Sequence, residues 1–532
     1  MEPDIIVIGG GSAGCAVAGR LAQQGRRVVV LEAGGSDRDV RVRVPALMAK
    51  LVQNPQFDWC YFCEPDPSVG GRPSPWPAGK RLGGGSAING MMFIRGHRWD
   101  YDNWAKLGAT GWDYQSVLPS FRRLEDNERG ADHWRGTGGP VAVSECRSRY
   151  PVTDAWIAAA IEAGIARSPD LNGEKAEGVD HIQLSQRRGW RNTTSTYLHG
   201  LAGGLTPQVL LEAQVLKLEI ESGRAVGVTY RQGGETRTLR ARQGVVLSAG
   251  ALNTPRLLML SGIGPADHLR EVGVEVVRDV PGIGENLQDH CGTHLIDTVD
   301  ALTLNNDANG WRAPLQLLRM AFGRGALSTG IGHAQAFVRS REGLPAPNLQ
   351  LAFSAFSFEV TPQGNVLLRP ESSVATFVGL MRPSSRGRIT LRSADPMDPP
   401  KIDHRLLGGD DDVEQLVEGL QLARKIMAQP AISRQVKGET RPGDAAATDE
   451  ALRDYVRTWT MSMYHPVGTA KIGTANDPLA VLDPGLRLRG LEGLWVADAS
   501  VMPTIPQGNT NATCIMIGER AAELIGAALG PA

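Results

Sequence analysis

The sequence predicts an α/β fold in which both ends of the chain form one domain and the middle forms a second. An apolar run at 4–8, a glycine-rich turn, a helical segment and a second apolar run at 28–32 open the chain as a βαβ unit. The segment 494–498 (LWVAD) and an apolar helix at 512–529 return to this character at the far end. Between about 300 and 455, longer alternating segments predict an antiparallel sheet instead.

Composition limits the classes of protein to which the chain can belong. With 532 residues, the chain is too long to form a single hydrophobic core and predicts two or more domains. Its content of 42% hydrophobic and 21% charged residues is typical of a soluble globular protein. The formal net charge of −1 gives no electrostatic reason to expect nucleic acid or an anionic membrane as a partner. Because no run of about 18 apolar residues is present, we expect no transmembrane segment. A strand that starts at Asp4 leaves no room for a signal peptide, so we expect a cytoplasmic protein.

The first glycine-rich turn has the spacing of a dinucleotide-binding fingerprint. Gly9, Gly11 and Gly14 stand between strand and helix, where backbone N–H groups and the helix dipole can hold a pyrophosphate. Glu32 ends the second strand, where a carboxylate can hydrogen-bond a ribose 2′-hydroxyl and would repel a 2′-phosphate. The motif therefore predicts a dinucleotide other than NADP, with further contacts from the neighbouring Ser12, Ala13 and Ala33.

The remaining elements follow from periodicity and turn residues. Many prolines and weak periodicity predict an irregular excursion from 40 to 77. Helical spacing predicts helices at 100–107, 114–124, 151–164, 254–260 and 411–428. Alternation between turn residues predicts strands at 209–211, 216–220, 225–230, 236–241, 244–250, 349–356, 374–380 and 388–391.

The six cysteines are scattered along the chain, which fits reduced thiols. Cys60 and Cys63 have CxxC spacing, but no second pair accompanies them, so we interpret them as structural. No cluster of His, Cys and Asp has metal-ligand spacing, and we expect no metal.

Six separated blocks occur in order along nearly the whole chain. They are 79–89 (GKRLGGGSAIN), 250–264 (GALNTPRLLMLSGIG), 281–290 (PGIGENLQDH), 382–389 (RPSSRGRI), 464–471 (YHPVGTAK) and 496–504 (VADASVMPT). Together they resemble the signatures of the glucose–methanol–choline (GMC) family of flavoprotein oxidoreductases. The resemblance implies an FAD-binding Rossmann-like domain at 1–150, 190–300 and 460–532, interleaved with a substrate-binding domain at 151–189 and 301–459. The second domain is expected to be an antiparallel sheet with helices.

The resemblance identifies the expected dinucleotide as FAD. The second glycine-rich segment, at 79–90, agrees with FAD, because a protein that uses free NAD does not need a second glycine-rich segment. By resemblance, cofactor contacts are expected from Gly84, Ser86, Asn89, Val215, Asp498, Ala499, Asn509 and Thr510. Some members bind FAD covalently through a histidine beside the position of Asn89. Ile88 stands there in this chain, so we expect non-covalent FAD.

His465 matches the family's active-site histidine, and its residue type suits the removal of a hydroxyl proton. The family's second catalytic position holds His or Asn, and the segment 507–511 (QGNTN) offers two asparagines. The spacing from Asp498 favours Asn509 for this position and leaves Asn511 as an alternative contact to the flavin. The Asn509 amide can stabilise a developing alkoxide but cannot act as a second base. His290 resembles a family position near the flavin, and we interpret it as structural. Whether His333 lines the substrate cavity stays open.

The resemblance implies oxidation of a primary alcohol to an aldehyde, closest to the choline dehydrogenase-like branch. A hydroxynitrile lyase-type enzyme that retains FAD and an oxidase that forms hydrogen peroxide remain as alternatives. Met463 stands where the family often has a smaller side chain, which favours hindered oxygen access and a dehydrogenase. The electron acceptor (oxygen, a quinone or a redox protein) and the alcohol are not predicted. The aromatic residues that could cage an ammonium substrate are not placed by the sequence; they are Trp311, Phe353, Phe356, Phe358 and Tyr464.

Overall fold

The computed structural model describes residues 2–308, 312–360 and 366–532. Its first sheet has five parallel strands, and their order is Gln208–Leu210, Val28–Leu31, Ile5–Ile8, Gly244–Leu247 and Leu494–Val496. The four-residue strands are apolar and wholly buried, as expected for parallel strands covered on both faces. Both ends of the chain therefore contribute to one sheet.

Close helix packing places the start and the end of the chain against this sheet. The helix Ser12–Gln23 follows the first strand and packs on the C-terminal helix Asn511–Leu529. A Cβ at Gly518 would lie 2.4 Å from the carbonyl oxygen of Ala13, so the two backbones nearly touch. Further helices of this half are Arg98–Lys106, Tyr114–Leu124 and Gly250–Leu260. An antiparallel meander of Gln214–Glu221, Arg224–Gln232 and Glu235–Arg240 extends from it.

The second sheet is antiparallel and forms the other half of the molecule. Its strands follow the order Val436–Arg441, Cys291–Val299, Ser373–Leu380, Leu349–Ser354, Ala334–Val338 and Gly178–His181, and Met461–Ser462 also pairs with Cys291–Val299. A separate apolar core lies between this sheet and the helices Pro151–Glu162, Asp410–Met427 and Asp449–Trp459. Shorter helices join the layers: Val40–Arg43, Pro45–Lys50, Gly85–Ile88, Thr194–His199, Ala266–Glu271, Leu304–Ala308, Ala313–Ala321, Ala326–Ser328 and Pro430–Ser433. None of the helices in the described ranges is long and apolar enough to cross a membrane.

The expected domain boundary at 300 is corrected to about 290. The strand Cys291–Val299 pairs with Ser373–Leu380 in the second sheet, from Cys291 opposite Leu380 to Thr298 opposite Ser373. The chain therefore crosses between the halves directly after His290. A second segment differs in the opposite direction. The sequence analysis places the hairpin of Arg388–Thr390 and Lys401–Asp403 in the second domain, but its side chains Ile389 and Ile402 pack on Leu252 of the first half.

Candidate active site

A cavity of about 2310 Å³ is lined by residues of both halves of the molecule. Gly9 and Glu32 contribute from the first sheet, and Gln350 and Ala375 contribute from the second. The volume exceeds the roughly 300–1,000 Å³ of a typical small-molecule pocket. The cavity therefore has room for a dinucleotide together with a second ligand.

Two glycine-rich turns meet at one end of this cavity. Gly84 has a positive φ of 52°, and a Cβ there would lie 2.7 Å from the Cα atom of Gly11. A Cβ on Gly85 or on Gly250 would meet no protein atom within 4 Å, although both residues line the cavity. The turns thus form an open cradle of backbone beside the start of the first helix, which fits the phosphates of a dinucleotide.

Most of the sequence-predicted cofactor residues line this cavity. They are Gly9, Gly11, Ser12, Ala13, Glu32, Ala33, Gly84, Asn89, Val215, Asp498, Ala499, Asn509 and Thr510. Gly14 and Ser86 lie behind the lining. A Cβ on Gly14 would stand 2.0 Å from the carbonyl oxygen of Gly9, so this glycine permits helix–strand contact. The hydroxyl of Ser86 donates to the Gly83 carbonyl at 2.7 Å and holds the second turn.

The two predicted carboxylates hold loops at the cavity wall. Glu32 accepts the N–H groups of Gly10 at 2.9 Å and Gly34 at 2.8 Å. Asp498 accepts the Gly250 N–H at 2.9 Å and the Thr254 hydroxyl at 2.6 Å. Burial raises the pKa of both groups. Since a carboxylate oxygen accepts more than one hydrogen bond, both can also bind cofactor hydroxyls.

Arg191 is a residue that the sequence analysis missed. Its guanidinium is fully buried and donates to Asn89 Oδ1 at 2.9 Å and to the Ser86 carbonyl at 3.1 Å. No carboxylate pairs with it among the described residues, and burial lowers its pKa to about 9. Arg191 therefore fixes the second glycine-rich segment from behind. Nothing in its local sequence distinguishes it from a surface arginine.

His465 and Asn509 lie together at the cavity wall. Asn509 Nδ2 stands 3.2 Å from His465 Nε2, and His465 Nδ1 stands 3.0 Å from His290 Nδ1. With the Asn509 amide in this orientation its nitrogen donates and Nε2 of His465 accepts, which assigns the His465 proton to Nδ1. His465 lines the cavity, and desolvation lowers its pKa to about 4. At neutral pH it is an uncharged imidazole whose Nε2 lone pair points to the Asn509 amide.

Asp289 holds the backbone of this histidine, and the sequence analysis did not name it. Its carboxylate accepts the His465 N–H at 2.7 Å and the hydroxyl of Ser462. Ser462 in turn accepts the N–H of Tyr464, whose φ of +62° turns the chain sharply before His465. Burial raises the pKa of Asp289 to about 7. The sequence feature that could have identified Asp289 is its position next to His290 in the block 281–290.

The structure decides between the alternatives for the other histidines. The sequence analysis interprets His290 as structural, and its ring contacts His465, as described above. His333 is buried outside the cavity lining, accepts the Ala355 N–H at 3.1 Å and has a pKa lowered by burial to about 3. Phe353 stacks on Trp156 in the core of the second half. Trp311 lies outside the described residues, within which no group of three possible metal ligands occurs.

Two family models described as GMC oxidoreductase match this chain, over residues 3–292 and 383–518. The chain belongs to the GMC oxidoreductase family. Family membership makes it an FAD-dependent oxidoreductase of alcohol-type substrates.

Relatives and solved structures agree with this membership. Oxygen-dependent choline dehydrogenase from Brucella canis is 38% identical and that from Sinorhizobium medicae is 39% identical, each over 99% of this chain and 96% of the relative. Pyridoxine 4-oxidase from Mesorbium loti superposes with a TM-score of 0.88 at 28% identity, covering 98% of both chains. A fungal aryl-alcohol oxidase superposes with a TM-score of 0.84 at 25% identity, covering 99% of both chains. The predicted GMC fold class is confirmed.

Proposed function

We propose that this GMC enzyme oxidises a primary alcohol to the aldehyde, with His465 as the base and Asn509 as the partner of the substrate oxygen. The observation that carries the proposal is the uncharged His465 with its Nε2 atom 3.2 Å from the Asn509 amide on one cavity wall. Bound FAD supplies the hydride acceptor.

The two side chains divide the work on the hydroxyl group. A substrate hydroxyl that enters between them donates its proton to His465 Nε2 and accepts from Asn509 Nδ2. The Nδ1–H of His465 keeps its contact with His290, which fixes the ring during the transfer. A positioned base contributes typically about 10²–10⁴-fold in rate, and one preorganised donor to a developing oxyanion about 10²–10³-fold.

Anaerobic stopped-flow reduction of the flavin by alcohols tests this assignment. We expect His465→Gln to slow the reduction by about 10²–10⁴-fold and Asn509→Ala by about 10²–10³-fold. His404→Gln, a buried histidine far along the chain from both, is the control and should leave the rate unchanged. Wild-type rates in both active-site variants would refute the roles, and a flavin that no alcohol reduces would favour the lyase alternative.

We propose further that the enzyme is a dehydrogenase rather than an oxidase. Met463 lines the cavity two residues before His465 and packs with Phe337 and Met381, so its thioether occupies space next to the base. The names of the relatives, an oxygen-dependent dehydrogenase and two oxidases, favour the opposite. We expect hydrogen peroxide to form much more slowly in air than an artificial acceptor is reduced. Equal rates would identify an oxidase.

Non-covalent binding of FAD is proposed from the environment of Ile88. This side chain lines the cavity and packs among Val42, Leu51 and Phe57, and a hydrocarbon offers no nucleophile for a bond to the flavin. Acid precipitation should release all the flavin into the supernatant. Yellow colour that stays with the denatured polypeptide would contradict this.

A further inference from the structure

We propose that the substrate is an uncharged primary alcohol with a long apolar tail, which runs from His465 to the protein surface at Leu317 and Leu367. The inference rests on the proposed alcohol oxidation and adds the substrate class. It departs from the choline named in the relatives, because each carboxylate that lines the cavity among the described residues already has a partner.

Every carboxylate that lines the cavity already has partners. Glu32 and Asp498 hold the loops of the dinucleotide end, as described above. Asp307 pairs with Arg312 at 3.4 Å and accepts the Tyr150 hydroxyl at 3.2 Å. Glu359, the fourth, pairs with Arg369 at 3.1 Å. Residues 1, 309–311 and 361–365, which complete the chain, include no Asp or Glu. A buried cation without a counter-charge is strongly disfavoured.

A positively charged side chain from the second half of the molecule already lines the cavity. The Arg441 guanidinium lines it and lies 4.5 Å from the centre of the Trp459 ring, so one face of this aromatic residue is occupied. No ion pair within 4 Å neutralises Arg441 in the described ranges. Burial and, secondarily, Arg441 lower the pKa of the neighbouring His294 to about 4. A trimethylammonium group that stacked on Trp459 would therefore lie next to a like charge.

Apolar side chains line the same cavity as the base. Phe356, Phe358, Leu304 and Leu327 are among them. Leu317 and Leu367 also line the cavity although they are 68% and 57% exposed, so we place the outer end of the tail there. An apolar tail would cover both leucines and remove their surface from water.

A comparison of two alcohols of the same shape distinguishes the effect of substrate charge from the effect of substrate size. Choline and 3,3-dimethyl-1-butanol differ in having a nitrogen cation or a carbon atom at the branch point. Flavin reduction is followed anaerobically in the holoenzyme with both compounds and with 1-alkanols from butanol to decanol. We expect the neutral isostere to react at least about 10-fold faster than choline, which corresponds to 1.4 kcal/mol. The second-order rate constant should rise up to about fourfold per added methylene, the value for full burial.

Two neighbouring leucines test the route of the tail. Leu317→Asp should flatten the dependence on alkanol length, because it places a charge on the apolar path. Leu318→Asp is the matched control, since Leu318 is 61% exposed on the same helix but does not line the cavity, and it should keep the wild-type slope.

Three outcomes would overturn the proposal while alcohol oxidation stands: choline that reacts as fast as its isostere, a flat alkanol series, or equal slopes in both variants. Failure of every alcohol to reduce the flavin would instead overturn the proposed function.

Discussion

At the scale of single residues, the chemistry depends on a histidine that its surroundings keep uncharged. Desolvation lowers the pKa of His465 from about 6.5 to about 4, so the base is available over the whole neutral range. Asp289 and His290 hold the backbone and the ring of His465 in place.

The rate of flavin reduction should therefore stay constant with pH far below the range in which a free histidine titrates. Above its pKa the imidazole of His465 is neutral and active, and below it the imidazole is protonated and inactive. We expect a plateau from pH 9 to about 5 and a fall with a midpoint near 4, measured by pH-jump stopped flow at saturating alcohol. A midpoint near 6.5 would show that desolvation does not control this group.

His333, which does not line the cavity, allows a test of how burial of a histidine affects stability. Its pKa is about 3 in the folded protein and about 6.5 in the unfolded chain, so its stabilising effect is full above pH 6.5 and is lost as the pH falls toward 3. Between pH 7.5 and 5 the loss amounts to about 2 kcal/mol. The variant His333→Asn keeps an amide oxygen that can accept the Ala355 N–H but has no titrating group. Between pH 7.5 and 5, its free energy of unfolding in urea should therefore fall by about 2 kcal/mol less than that of the wild type. An identical pH dependence would contradict a buried neutral histidine.

At the scale of elements, glycines in the two turns leave space that the cofactor needs. Gly85 begins the short helix Gly85–Ile88, and a Cβ there would project into the cavity without touching protein. We expect Gly85→Ala to weaken FAD binding by about 10- to 100-fold through overlap with the cofactor. The measurement is the flavin absorbance per polypeptide after purification, followed by titration with FAD.

Gly438→Ala is the control for this substitution. Gly438 lies on the strand Val436–Arg441 outside the cavity, and a Cβ there also meets no atom within 4 Å. It should retain the full flavin content. Equal flavin contents in both variants would mean that the cofactor does not approach Gly85.

At the scale of the whole molecule, one buried ion pair connects the two halves to the active-site loop. The guanidinium of Arg382, which follows the strand Ser373–Leu380, donates to Asp100 on the helix Arg98–Lys106. The other oxygen of Asp100 accepts the N–H of Gln507 at 2.9 Å, two residues before Asn509. The position of Asn509 therefore depends on the contact between the halves.

Asp100→Asn should lower both stability and the rate of flavin reduction. Asp100 is buried and Arg382 nearly so, and the loss of one partner of a buried pair costs about 3 kcal/mol. Thermal unfolding of the holoenzyme and stopped-flow reduction measure the two effects. Glu221→Gln breaks the exposed pair of Glu221 with Arg240 on the meander and should change neither. An unchanged rate of flavin reduction in Asp100→Asn would contradict the dependence of the Asn509 position on the contact between the halves.

The sequence by itself predicts those features whose determinants lie close together along the chain. Gly9, Gly11 and Glu32 form a local unit of strand, turn and strand, and the blocks around His465 and Asn509 each keep their own pattern. The family, the fold class and the helices and strands follow from such local patterns, because periodicity and turn residues act over a few residues. The proposed base and its amide partner were therefore accessible to sequence reasoning.

Only the tertiary structure decided what depends on side chains from distant segments. It placed His290 and Asp289 against His465 across more than 170 residues, and it paired Cys291–Val299 with the second sheet, which moved the boundary to about 290. It also showed that Asp307 and Glu359 are paired and that Leu317 reaches the cavity. A sequence records which charged groups exist, but their neutralisation depends on distances of a few ångströms that folding alone sets.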